Sequence, residues 1–373
     1  MIKIYCILFD TLILNKSIIS LAKHNKMAVL RQIGSCFTNN SCIEMLTGKM
    51  PSDLRYHGMG HLCHNKYRDR KTNKIQWPWE DNLLLPILLK EKWNIKYHNG
   101  EHFSNVIYDK SNIKKTSSIR DDTVLLSMSS SGIKLMKEEQ KRTKEFQKEK
   151  ISKHTFYFVR HEHYHKAVDL HRKKDDKKVA QKIKIAVKKS IDIMNYWNME
   201  EPDSIFWFFS DHGNWNFPFD LRHPNPQNYL SFVLFKDNTK NPIKVGSKFM
   251  CIRDFFPTIM DKFGYKYDTN EEICSISSSQ NKNRIYYVED GRKKINDDIS
   301  TTGMACKFVN WEENFPKGIL QVSYHICNNK WMCKFISLDK YGITKEIINK
   351  KDVDNELKEA VIRKFDWIRK KYE

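Results

Sequence analysis

Residues 205–209, IFWFF, form an unbroken apolar and aromatic run that stops at Ser210-Asp211-His212-Gly213. A run this short, closed by a turn signal, predicts a buried strand. Such a strand constrains the fold strongly, because without polar alternation it needs cover on both faces. Its end is as informative as its body. Asp211 and His212 stand side by side before a glycine, where open α/β sheets place their binding sites. Alone, the tetrapeptide also fits a polar turn in which His212 is merely hydrogen-bonded.

Other runs repeat the pattern. IKIYCILF (2–9) reads as a strand ending at Asp10, with a helical pattern through 16–30. The loop GSCFTNNSCIEMLTGKMP (34–51) opens into a short helix that Gly48 and Pro51 terminate. A helix over 83–93, a strand and turn over 94–103 and a charged helix over 134–153 follow. HTFYFVRHEHYH (154–165) has strand character, and a helix over 177–198 leads into the run at 205–209. YLSFVLF (229–235) is a further strand, and CIRDFFPTIMDKFG (251–264) carries a helix. Strands alternating with helices predict an α/β fold, a mostly parallel sheet sandwiched by helices.

Beyond about residue 270 the pattern changes. RIYYVEDGRKKI (284–295) and ILQVSYHICNNKWMCKFISL (319–338) read as antiparallel hairpins, the second turning at Asn328-Asn329, and a charged helix spans 353–372. The expected organisation is a large α/β domain over 1–270 and a smaller C-terminal α+β lobe over 271–373.

The chain has 373 residues, 40% of them hydrophobic and 12% aromatic, enough for a substantial core and unlike a disordered polymer. Its formal charge of +20 invites anionic partners. The excess is spread through Lys-rich, Glu-interleaved helices such as KEEQKRTKEFQKEK (137–150), which is how a solvated face looks. No nucleic-acid recognition motif accompanies it, so specific nucleic-acid binding is not expected. Nine cysteines without a C-x-x-C pair fit reduced thiols better than a disulfide framework. The apolar start MIKIYCILFDTLIL is too short to span a membrane and is interrupted by Asp10. No small-residue cleavage site follows it, so the expectation is a cytoplasmic protein without a transmembrane anchor.

Three chemically capable places fall at strand ends: Asp10, the loop at Thr38, and Asp211-His212. A hydroxyl at the start of a helix sits where backbone N–H groups favour an anion. Threonine is a poor nucleophile at neutral pH and needs a base or a metal to activate it. Two aspartates and a histidine supply O and N ligands for a divalent ion that could do so.

In this order the residues resemble the sulfatase-like branch of the alkaline phosphatase superfamily. ILFD resembles the family's first strand with its metal-binding Asp, and TNNSCIEMLTG (38–48) its nucleophile loop and helix. PSDLRYHG (51–58), LPILLKEKWNIKYHNGEH (85–102), SDHG (210–213) and DFFPTIMDKFG (254–264) are similar to later landmarks, so the likeness covers roughly the first 265 residues. The family's C-x-P-S-R, whose Cys becomes formylglycine, is replaced by Thr38-Asn39-Asn40-Ser41-Cys42, and Cys36 and Cys42 lie out of register. A threonine in that slot resembles the phosphodiesterases, phosphatases and phosphoethanolamine-type transferases of the superfamily.

The resemblance implies a metal-dependent hydrolase or transferase of phosphate esters with Thr38 as nucleophile. It implies one divalent metal, held by Asp10, Thr38, Asp211 and His212, with Zn²⁺ or Mn²⁺ suiting the mixed ligands and Ca²⁺ or Mg²⁺ as further candidates. The substrate would be an anionic ester, carried on a glycan or a lipid. His163 and His165 in RHEHYH, His102 (whose segment Gly100-Glu101-His102 lacks the family's Lys) and Arg222 are the candidate substrate-binding residues. A sulfuric ester hydrolase, or an inactive member that binds polyanions, are the alternatives.

Overall fold

The computed structural model describes residues 1–35, 38–50, 87–88, 90–98, 113–115, 130–161, 164, 177–213, 229–268, 272–278, 284–293, 299–312, 315–325 and 329–372. The chain opens with strand β1 (Lys3–Phe9), buried along its whole length. Helix α1 (Lys16–His24) follows, its first turn capped by Asn15, whose side chain accepts from the N–H groups of Ser17 and Ile18. The expected helix through residue 30 stops short. Lys26 takes a left-handed φ of 53°, and Ala28–Ile33 becomes strand β2. Such a turn ends helices, and the apolar spacing of AVLRQI is too short to tell helix from strand.

Helix α2 (Thr38–Thr47) comes next, then β3 (Asn94–His98), β4 (Ile113–Lys115) and helix α3 (Ser130–Lys148). Strand β5 (Thr155–His161), helix α4 (Lys177–Met194) and strand β6 (Ser204–Phe209) follow. Strands β7 (Leu230–Asp237) and β8 (Phe249–Cys251) precede a single 3₁₀ turn and helix α5 (Phe255–Phe263), the helix expected within 251–264.

These strands form one eight-stranded sheet in the order β4-β3-β5-β1-β6-β7-β2-β8. β7 is antiparallel to both its neighbours and every other pairing is parallel, so the sheet is mostly parallel as expected. Alternate residues of β1 serve different layers. Ile4, Cys6 and Leu8 pack with Cys42, Met45 and Leu46 of α2. Tyr5, Ile7 and Phe9 pack on the other side with residues of α1, α3 and α4.

Strands β9 (Ile285–Lys293), β10 (Ile299–Glu312), β11 (Phe315–His325), β12 (Lys330–Leu338) and β13 (Thr344–Lys350) form a second, antiparallel sheet in sequential order. The hairpin expected over 284–295 is instead one strand, β9, whose partner β10 lies further along the chain. The hairpin expected over 319–338 is formed by β11 and β12, and β13 adds a strand beyond it. The expected terminal helix is two: α6 (Asn355–Lys364) and α7 (Asp366–Tyr372), broken at Phe365, where the backbone turns extended. Alternation again divides the layers. Met304, Cys306 and Phe308 join the cluster of the first sheet, whereas Ala305 faces Leu357, Val361 and Phe365 of the terminal helices. Gly303 permits that approach, since a Cβ there would lie 2.7 Å from the Phe365 ring. Among the described residues, no helix is long and apolar enough to cross a membrane.

Candidate metal centre

The sheet order makes β5, β1 and β6 neighbours, and each ends at the same edge with a charged or polar group. β1 runs into Asp10, β5 ends in Arg160 and His161, and β6 runs into Ser210, Asp211 and His212. Ladder-like bonds fix these ends: the Asp10 N–H donates to the His161 carbonyl at 3.0 Å, and the Ser210 N–H to that of Phe232 at 3.1 Å. From β2, the Gln32 amide donates to the Ser210 carbonyl at 3.0 Å.

Thr11 tightens the arrangement. Its φ of 58° is rare for a non-glycine residue, and it aims the Thr11 N–H at Asp211 Oδ1, 3.1 Å away. His212 Nδ1 lies 2.9 Å from the Gly213 carbonyl, which can only accept, so that nitrogen carries the proton and Nε2 turns toward the carboxylates. Nε2 stands 3.4 Å from Asp211 Oδ2 and 3.9 Å from Asp10 Oδ1. Both exceed the usual N–H···O range of about 2.7–3.2 Å.

Asp10, Asp211 and His212 each offer one ligand atom, and these atoms lie within 4.8 Å of one another. Bonds of about 2.0–2.2 Å to a single ion would set its ligands roughly 3–4 Å apart, so the O, O, N set fits one divalent cation. All three side chains are buried. Burying two carboxylates beside one another is costly unless a cation balances them.

Part of that balance is within the chain. Arg160 donates to Asp10 Oδ2 through Nε at 3.2 Å and Nη2 at 2.5 Å. In RHEHYH the sequence points to the histidines, and nothing in it marks this arginine. Leu8 pairs with Arg160 and Phe9 with His161, so alternation sends Arg160 to the side of Asp10. His161 goes to the other layer, its ring stacked on Phe9 at 5.1 Å and its Nδ1 4.0 Å from Glu139. The signal was parity within the strand, which becomes readable only once the register is known.

Thr38 is the first residue of α2, following β2, whose C-terminal end lies on the same edge of the sheet. Position 38 is one helical turn before Cys42 on the same face of α2. Cys42 is buried within electrostatic reach of the site: burial pushes its thiol well up, Asp211 and Asp10 add to this, and Arg160 opposes them. A thiol held protonated in this way is no nucleophile. The side chain of Thr38, and His102, His163, His165 and Arg222, lie outside the described residues.

No protein-family model matches the chain, and no curated protein does. Solved structures do. A candidate sulfatase from Bacteroides thetaiotaomicron superposes with a TM-score of 0.58 at 8% identity, over 89% of this chain and 84% of its own. A phosphonate monoester hydrolase from Silicibacter pomeroyi superposes with a TM-score of 0.50 at 8% identity, over 94% and 89%. The chain has the fold of the sulfatase-like branch of the alkaline phosphatase superfamily.

Proposed function

We propose that the chain is a metal-dependent hydrolase or transferase of phosphate esters that uses Thr38 as its nucleophile. The observation that carries this reading is the convergence of Asp10, Asp211 and His212, with ligand atoms within 4.8 Å of one another, at the edge of the sheet where α2 also begins. The fold shared with a phosphonate monoester hydrolase adds support.

Asp10, Asp211 and His212 would hold the ion, joined by the Thr38 hydroxyl. Zn²⁺ or Mn²⁺ suits two carboxylates and an imidazole. Such an ion supplies Lewis-acid polarisation of an ester oxygen and lowers the pKa of a hydroxyl bound to it. The chain supplies the rest. The Thr11 N–H and the Gly213 carbonyl hold Asp211 and His212 in their ligating orientations. The N-terminus of α2 favours a phosphoryl group at position 38. Thr38 Oγ would give up its proton and attack phosphorus as the ester P–O bond breaks and the alcohol leaves with a proton. Water or an acceptor alcohol would then attack the same phosphorus and return Thr38 as a hydroxyl.

A sulfate ester is the second reading, favoured by the candidate sulfatase that shares the fold. The test is metal content of the purified protein beside Asp211→Ala, then turnover of phosphate monoesters, diesters and sulfate esters by wild type and Thr38→Ala. About one equivalent of divalent metal, lost in Asp211→Ala, with phosphate ester turnover lost in Thr38→Ala, is the expected result. Absence of bound metal together with no thermal stabilisation by Zn²⁺ or Mn²⁺ overturns it.

A further inference from the structure

We infer that Arg160 sets how tightly, and with what preference, the Asp10–Asp211–His212 cluster holds a divalent ion; the inference rests on the metal reading above. The guanidinium side chain is 7% exposed, and two of its nitrogens grip one oxygen, Asp10 Oδ2. The other oxygen, Oδ1, is the one turned toward His212 Nε2.

Two consequences follow. The first concerns geometry. With Oδ2 engaged by the fork, Asp10 can give an ion at most one oxygen, which suits a small four-coordinate ion. Ca²⁺ wants six to eight oxygens and readily takes a carboxylate through both. The second concerns charge. Among the described residues, two carboxylates and one guanidinium leave the site one negative charge, and in a buried site the like-charged arginine opposes a divalent cation strongly.

A purely supporting role for Arg160 makes the opposite prediction, since loss of the fork would then misplace Asp10 and weaken binding. The anchoring of Asp10 decides between them. Its backbone is tied to β5 by the bond to the His161 carbonyl, and the residue is fully buried. Its position does not depend on the arginine alone, so the charge effect dominates.

The experiment is calorimetric titration of Zn²⁺, Mn²⁺ and Ca²⁺ into metal-stripped wild type, Arg160→Met and Arg160→Lys, with melting curves as a folding control. Arg160→Met is expected to bind every ion at least about tenfold tighter, with the largest gain for Ca²⁺. Arg160→Lys keeps the charge but not the planar fork, so total affinity stays within roughly threefold of wild type while the preference for Zn²⁺ over Ca²⁺ falls. Unchanged or weaker binding in Arg160→Met overturns the inference while leaving the metal site standing. If Arg160→Met does not fold, an unaltered Zn²⁺ over Ca²⁺ preference in Arg160→Lys overturns it instead. A wild type that binds no ion overturns both readings.

Discussion

Among the described residues, two buried aspartate–arginine pairs are built differently. Asp254, after β8, has both oxygens occupied: Oδ2 accepts from the Cys251 N–H at 2.8 Å and Arg284 Nη1 at 2.7 Å. Oδ1 accepts from the Cys274 N–H at 3.1 Å and Arg284 Nη2 at 2.8 Å. Arg284 directly precedes β9, so the pair rivets the second sheet to the first. Asp10 engages its arginine through Oδ2 alone and turns Oδ1 toward His212 Nε2, 3.9 Å away. A carboxylate saturated by the chain is a structural joint. One that keeps an oxygen directed at other potential ligands is equipped to hold something else. Both lie in stretches that resemble landmarks of one family, so motif likeness does not separate the two roles.

Removing the site should cost function far more than stability. Thr38→Ala is expected to lower phosphate ester turnover by roughly 10³-fold or more while leaving metal content intact, as single-turnover assays and metal analysis would show. Asp211→Ala should lose the ion yet unfold at a denaturant midpoint close to that of the metal-free wild type.

Asp254→Ala should reverse that pattern. Leaving Arg284 buried without its carboxylate should destabilise the fold by about 3–5 kcal/mol in denaturant titration, with metal stoichiometry of the folded fraction unchanged. If Asp254→Ala releases the ion, the two pairs are not independent and the comparison fails.

Gly303→Val sharpens the comparison within the second sheet. Any Cβ there meets Phe365 at 2.7 Å and Ile368 at 2.9 Å, so overpacking should cost about 1–3 kcal/mol by the same measurement. The smallest effect concerns His154, whose Nδ1 accepts the Ile2 N–H at 2.9 Å and whose ring stacks on Trp93. Burial lowers its pKa. The folded state therefore prefers the neutral ring, and the unfolded chain binds more protons below about pH 6.5. Stability should be full above that pH and decline as pH falls through it, modestly, since the ring is only half-buried. The loss between pH 7 and pH 5 should shrink in His154→Gln, and identical pH profiles would remove His154 from the account.

What could be read from the chain follows from burial. KIYCILF, SIFWFF and the start of β7 are buried without interruption, and uniform burial writes itself as an apolar run. IKK and FMC are three-residue strands, too short for any period to show. β13, TKEIINK, lies at the edge of its sheet, largely exposed and carrying lysines, as edge strands do, so nothing distinguishes it from a loop. In the site the same rule holds. Asp10, Asp211 and His212 were legible because they fall within three residues of the ends of apolar strands. Arg160 lies inside one, and its role depends on which residue of β1 it faces.

That dependence reaches into folding. Asp10 is 150 residues from Arg160 and about 200 from Asp211, and they meet only when β5 and β6 have both zipped against β1 in the right alignment. A one-residue slip of β5 would exchange Arg160 for His161 and bury the guanidinium among the aromatic rings of the other layer. On the proposed metal reading, ion uptake would act as a proofreading signal: a chain that has collapsed but misaligned its central strands lacks the cluster, and metal binding followed in time during refolding would date the moment the sheet is correctly assembled.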